Sequence, residues 1–307
     1  GPFGASGRAT GVNPSPLNEG GTEQTSRILA RLDHPVYRSA LSRDNSNGSD
    51  MKIQSKFKAD ARCAVAVALA AGFSVSAWAG DDDSERSSCA GLPTHAQLKT
   101  ELTKARNASN GGFNLDMWGT VVNRDGVVCA VAYTGANRGS QWPGSRAISA
   151  QKANTANAFS LPGLALATAN LYSAVQPGGS LFGLQESNPV DTDNAYKGPA
   201  QNWGAPNDPM VGKRVGGINV FGGGLALYNA SKQLVGAIGV SGDSSCADHA
   251  IAWRARSTLS LDYVPGGVGP GGVDQLSYSG PWSQPHCVPG GAVAEDAVVL
   301  GLPATRK

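Results

Sequence analysis

Two β-rich runs, residues 118–122 and 127–133, are separated only by Asn123-Arg124-Asp125-Gly126. Asp-Gly between such runs marks a hairpin corner, because Gly accepts the positive φ that a tight turn demands. Further on, residues 218–221, 225–228 and 234–240 form three more β-like runs. The tripeptide Gly222-Gly223-Gly224 and the polar stretch 229–232 divide them. Strands joined by short turns pair antiparallel, whereas a parallel pair needs a long crossover. The pattern argues against a nucleotide-binding parallel sheet. It predicts an α+β fold, a five-stranded antiparallel sheet with flanking helices.

Helical signals surround these runs. Thr94 stands before a segment, 92–107, in which Leu98, Leu102 and Ala105 recur on one face, and Asn110-Gly111-Gly112 ends it. Residues 145–159 read as a second helix, 164–175 as a third and 247–259 as a fourth. Residues 187–214 are polar, rich in Pro, Asn and Asp, and without period, which predicts a long loop of functional character. Residues 262–307 read as a Gly/Pro-rich tail that Cys287 pins down.

The front end carries a different message. Met51 precedes Lys52, Lys56, Lys58 and Arg62, then an apolar run at 64–77, then Ala77-Trp78-Ala79. That order is the layout of a secretory signal with a small-residue cleavage site, giving Gly80 as the mature start. The apolar run is too short for a bilayer span of ~20 residues. Residues 1–50 show little hydrophobic period and read as a disordered upstream or appended segment. The expected organisation is therefore 1–50, a signal at 51–79, a folded domain at 80–261 and the tail. Export makes the mature Cys89, Cys129, Cys246 and Cys287 two disulfides, in one of three pairings. The net charge of +2 contains no run of five basic residues, so nothing points to nucleic acid.

Catalytic motifs fail on spacing. Gly212-Lys213-Arg214 lacks the hydroxyl of a phosphate loop, and Gly239-Val240-Ser241-Gly242 is one residue short of a hydrolase elbow. Neither C-x-x-C-H nor H-E-x-x-H occurs. No recognisable catalytic constellation remains. The segment 242–249, Gly-Asp-Ser-Ser-Cys-Ala-Asp-His, sits where a strand passes into a helix, whose free N–H groups suit a carboxylate or phosphate. Asp243 and Ser245 are equally plain helix caps. His249 and His95 are candidate iron ligands, each with the ordinary alternative of a hydrogen-bonded histidine, and His286, next to Cys287 in the tail, ranks below both. Arg146, Lys152 and Thr155 lie on the second helix, the two cations placed to pair with acidic groups of a ligand or simply to face solvent. Tyr172, Phe182 and Phe221 flank glycine turns as pocket walls or core.

Several blocks resemble the GlcG/HbpS-like family, the haem-degrading-domain proteins that include the C-terminal domain of the propanediol-utilisation corrinoid adenosyltransferase. They are residues 121–126, 149–156 (Ser-Ala-Gln-Lys-Ala-Asn-Thr-Ala), 174–185, 222–227 and 235–242 (Val-Gly-Ala-Ile-Gly-Val-Ser-Gly). The resemblance covers about 92–260 and implies a profilin/PAS-like sandwich, homo-oligomers, and haem or another tetrapyrrole as ligand in some members. Two departures stand out: the loop 187–214 is inserted where the family is short, and Ser-Cys-Ala-Asp-His replaces acidic residues after Val-Ser-Gly. The expectation is an exported, periplasmic or secreted haem-binding protein without a membrane span after signal cleavage. Arg146, Lys152, Thr155, Gln176, Phe182 and His249 form its candidate ligand set. The alternatives are an enzyme or binding module for a small hydroxy acid, aldehyde or aromatic metabolite, with the loop as lid, and a structural oligomer module.

Overall fold

The computed structural model describes residues 88–307. The signal peptide expected at 51–79 and the segment 1–50 lie outside these residues. Helix α1 (His95–Arg106) opens with a capping box: the Gln97 N–H donates to Thr94 Oγ1, and the Thr94 N–H donates back to Gln97 Oε1 at 2.9 Å. Its buried residues are Leu98, Leu102 and Ala105, the face that the spacing predicts.

Strands β1 (Trp118–Asn123) and β2 (Val128–Tyr133) form the expected hairpin. Asn123 holds its corner, its Oδ1 accepting from the N–H groups of Asp125 and Val127. Helix α2 (Ser145–Phe159) follows, then the short helices α3 (Thr168–Leu171) and α4 (Thr192–Ala195). Strands β3 (Gly224–Tyr228) and β4 (Leu234–Ser241) make a second hairpin, and β4 leads into α5 (Ser245–Thr258). Helix α6 (Ala292–Leu300) lies near the C-terminus.

Among the described residues the sheet has four strands rather than five, all antiparallel, in the order β2-β1-β4-β3. The missing strand is 218–221. Gly224 pairs with Gly239, and two residues later β4 ends at Ser241 and turns towards α5. A strand extended backwards from β3 therefore has no neighbour to pair with. Its backbone bonds elsewhere, Asn219 N–H to Thr155 Oγ1 at 2.9 Å. The long helix expected at 164–175 shrinks for a similar reason. The Ala165 N–H is spent on the Gly266 carbonyl and the Leu166 N–H on Ser160 Oγ, and the helical part is reduced to α3 and a 3-10 turn at Ser173–Val175.

Helices cover both faces of the sheet. On one, α2 lays Ala147, Ala150, Ala153 and Ala156 against Trp118, Val122, Val131 and Ala237. A Cβ on Gly239 would stand 2.5 Å from Ala153 N and collide with the Ser149 carbonyl, so only glycine lets helix and strand approach this closely. On the other face, α1 and α5 bury Leu98, Leu102, Ile251 and Trp253 with Val121, Ile238 and Val240. Disulfides join Cys89 to Cys129 and Cys246 to Cys287. Residues after 262 do more than trail: Asp274, Leu276 and Gln284 are buried, and α6 forms within them.

Candidate functional site

The junction from β4 to α5 gathers the buried ionisable groups. Ser244 is the helix cap, accepting from the Ala247 N–H at 3.3 Å, rather than Asp243 or Ser245. Asp243 turns away from that role. Its carboxylate accepts from the N–H groups of Phe113, Leu115 and Ser244, which holds the 113–115 loop against the helix start. Asp248, one turn into α5, accepts from the Asp243 N–H at 2.9 Å and from Lys152 Nζ at 2.7 Å. Lys152 also donates to the Val240 carbonyl at 3.2 Å and lies 5.4 Å from the Phe221 ring centre. Burial pushes the Asp248 carboxyl up to about 6, against the opposing pull of Lys152, and drives the Lys152 ammonium down. The glycine tripeptide packs over this pair. A Cβ on Gly222 would lie 2.9 Å from His249 Cβ and strike the Ser245 carbonyl.

His249 is fully buried, and that burial pushes its imidazole down to about 4. Its Nε2 meets Gln275 Oε1 at 3.2 Å. A carboxamide oxygen only accepts, so Nε2 carries the hydrogen and Nδ1 keeps a lone pair. That Nδ1 is buried without a partner among the described residues. The ring has the neutral form a metal ligand needs, but it is sealed from solvent.

Immediately outside the junction lies a cleft of about 320 Å³. Its walls include Phe113, Tyr172, Phe221, Ser245, Gln284 and His286. Cys287, of the Cys246–Cys287 disulfide, also lines it. The Cys287 Sγ receives the Cys246 N–H at 3.1 Å. Glu295 approaches both sulfurs, but the disulfide consumes the two thiols, so this trio is a staple and not a metal site. His286 is the imidazole that reaches the cleft. Its Nε2 bonds to Asp296 Oδ1 at 3.0 Å, and its ring stacks on Tyr278 with centroids 3.8 Å apart.

The residues singled out from sequence divide between two regions. Lys152 and His249 meet at the junction, and Thr155 sits one turn along α2, donating to the Gln151 carbonyl and accepting from Asn219. Gln176 donates to the Tyr172 carbonyl on the segment that supplies the Tyr172 wall, and Phe182 farther along it is 67% exposed. Arg146 and His95 lie elsewhere. Arg146 is buried in an ion pair with Asp208, Nε to Oδ2 at 2.9 Å, and His95 Nε2 meets the Gly204 carbonyl at 2.9 Å. Neither Arg146 nor Lys152 presents a free cation to a ligand, because each faces a buried aspartate of the chain itself. Phe113 and Gln284 are the cleft residues that sequence reasoning passed over, and His286 is the histidine that it ranked below His249 and His95. The adjacency of His286 to Cys287 was the available signal, since pairing Cys287 with Cys246 brings the imidazole to the start of α5.

A family model described as haem degrading protein HbpS-like matches residues 94–257, just over half of the chain. Among solved structures, the chain is similar to the Klebsiella pneumoniae protein ORFY, of family DUF336. Identity there is 26%, covering 55% of this chain and 90% of that one, with a TM-score of 0.37. It is also similar to the protein of a PduOC:haem complex, at 23% identity over 53% of this chain and 88% of that one, with a TM-score of 0.36. HbpS itself matches at 16% identity over 54% and 86%, with a TM-score of 0.34. No curated protein matches the chain.

Proposed function

This chain belongs to the HbpS-like family, described as haem-degrading, and from that premise we propose that it is an exported protein that binds haem or a related tetrapyrrole in the cleft at the start of α5. One observation carries the reading: where the C-terminal segment packs on the family-matched region, an aromatic-walled cleft holds an exposed imidazole backed by a carboxylate. Histidines that ligate metals characteristically give their other ring hydrogen to such a carboxylate. With Nε2–H on Asp296, His286 keeps its lone pair at Nδ1. Phe113 and Phe221 offer flat apolar faces, and the first turn of α5 offers a positive end for a propionate. The cleft takes one edge of a macrocycle, and the exposed ring of Phe113 on its wall offers apolar surface to the rest.

The residues fit the group: an exposed imidazole, aromatic walls and the positive end of α5. When bound, the iron centre supplies ligand-binding or redox chemistry, while the chain's part is to hold the ring and to exclude water. Export is supported by two disulfides. Self-association belongs to the same reading and is supported by Val293 and Leu300, which stand 84% and 85% exposed on α6.

The test is a haemin titration of the purified chain followed in the Soret region. The parent protein should give a shifted, saturable band, and His286→Ala should change its position or intensity. His249→Ala and His95→Ala should leave it in place. A Soret change lost through His249→Ala or His95→Ala, with folding intact by circular dichroism, would overturn the assignment to His286. No Soret change in the folded parent would sink the haem reading as a whole.

A further inference from the structure

A second cleft, of about 330 Å³, opens between the turn after β2 and the long segment 187–214. Trp118, Asn137, Arg138 and Pro143 line it from one side, and Ala200 and Trp203 from the other. It contains no imidazole, thiolate or carboxylate, so nothing in it would hold iron. We propose that this cleft is a binding site for a small planar aromatic carboxylate.

The polar groups of the cleft are donors. Trp118 is 1% exposed, and its buried Nε1–H has no acceptor among the described residues. That nitrogen is sealed from solvent, so Trp118 gives the cleft an apolar ring wall, and the donors that reach a ligand are those of Arg138 and Asn137. Arg138 is exposed and makes no ion pair among the described residues. Asn137 Oδ1 already accepts from the Gly139 N–H at 2.9 Å, so the amide offers its Nδ2 hydrogens. Donors alone, one of them a guanidinium, select an anion with planar acceptor oxygens.

The aromatic part of the ligand follows from the walls. Trp203 has the Arg146 guanidinium 4.5 Å from its ring centre. That guanidinium is fixed by Asp208, whose oxygens also take the Gly204 and Met210 N–H groups, so the nearest carboxylate is saturated and does not oppose an anion. The indole is thereby held rigid, with a cation against it that favours an electron-rich or anionic partner in the cleft. Trp142, 54% exposed, stands beside Pro143 at the rim. The long segment thus builds a site that the sheet and α2 alone do not contain.

The experiment titrates the full chain with benzoate and phenylacetate, with benzamide as the neutral counterpart, by calorimetry and tryptophan fluorescence. Saturable binding of a carboxylate is expected, at least about tenfold tighter than benzamide. Arg138→Gln should weaken the carboxylate by about tenfold without affecting benzamide, and Trp203→Leu should weaken both. Arg138 is an exposed side chain, so its replacement should leave thermal unfolding unchanged and separates ligand loss from misfolding. Absence of carboxylate binding at about 1 mM, or equal affinity for acid and amide, would overturn the proposal. So would an Arg138→Gln protein that binds benzoate as the parent does. Haemin serves as the separating arm. A Soret titration unchanged by Arg138→Gln supports two independent sites, and one abolished by it would assign this cleft to the tetrapyrrole and remove the carboxylate site.

Discussion

Replacement of His249 by Gln should make the protein more resistant to acid while costing little at neutral pH. The imidazole is wholly buried, and its ordinary value of 6.5 falls to about 4, first because burial penalises the charged ring. Asp274 pulls the other way, and Arg256 and Lys152 reinforce the burial. Above pH 6.5 the ring is neutral in both folded and unfolded chains and contributes no pH dependence. As the pH falls from 6.5 towards 4, the unfolded chain takes up the proton first, so stability is lost through that window and levels off below it. Between about pH 7 and about pH 4.5 the loss amounts to about 2 kcal/mol. Asp248 acts with the opposite sign. Its raised value, about 6, means that the native carboxyl holds its proton longer, so stability falls as the pH rises from about 4 to 6. That contribution is common to parent and variant and drops out of their difference. Gln at 249 keeps a polar end for Gln275 and has no proton to gain. Urea unfolding of both proteins at the two pH values gives the difference directly. If the variant loses as much stability on acidification as the parent, the buried neutral imidazole is not what the structure describes.

Removing the second staple with Cys246→Ser and Cys287→Ser should lower stability by about 4 kcal/mol for a 41-residue separation, read as a fall in the urea midpoint; an unchanged midpoint would contradict the staple. Gly239→Ala should cost about 3 kcal/mol or more, since its Cβ meets Ala153 N at 2.5 Å and the helix must move off the sheet; an unchanged midpoint would contradict the packing of α2. Arg256→Met should cost about 3–5 kcal/mol by leaving the Asp274 carboxylate buried and unpaired, and adding Asp274→Leu should restore much of the loss. A double variant as weak as the single one, in the same denaturation assay, would show that the pair is not the source of the cost.

The parts of this fold that were legible in the sequence are those set by near neighbours. Thr94 and Gln97 cap α1 across three residues, and Asn123 closes the first hairpin within four. The family blocks likewise lie along the stretch that the family model matches. What escaped was decided by distant partners. Residues 218–221 have strand composition, but β4 ends before it can pair with them. Residues 164–175 have helical composition, but Ser160 Oγ and the Gly266 carbonyl take their early N–H groups. At the site, Lys152 and Arg146 read as free cations because their aspartates stand 96 and 62 positions away. His286 read as a tail residue because the disulfide that draws it to α5 was one of three open pairings. Charge type was visible in the chain, but its neutralisation was not.

Those distant partners share a pattern. Arg146 on α2 and Arg256 on α5 both lie within the stretch that matches the family, and both are almost wholly buried. Asp208, the partner of Arg146, belongs to the long segment 187–214, and Asp274, the partner of Arg256, to the C-terminal extension beyond the match. The Cys246–Cys287 disulfide repeats the arrangement, one cysteine on α5 and the other on the extension. A buried ion pair adds little net stability, because desolvation offsets most of the attraction, but losing one partner is severe. Such pairs therefore act as registration points more than as glue. Arg146 fixes where Trp203 stands, and Arg256 with the disulfide fixes the strap that carries Gln284 and His286. Each of the two clefts is thus walled on one side by the sheet and its helices and on the other by one of these segments, held in register by an arginine whose charge is spent on position. A relative that keeps the sheet and helices but lacks segments equivalent to 187–214 and 262–307 should consequently share the fold and neither cleft.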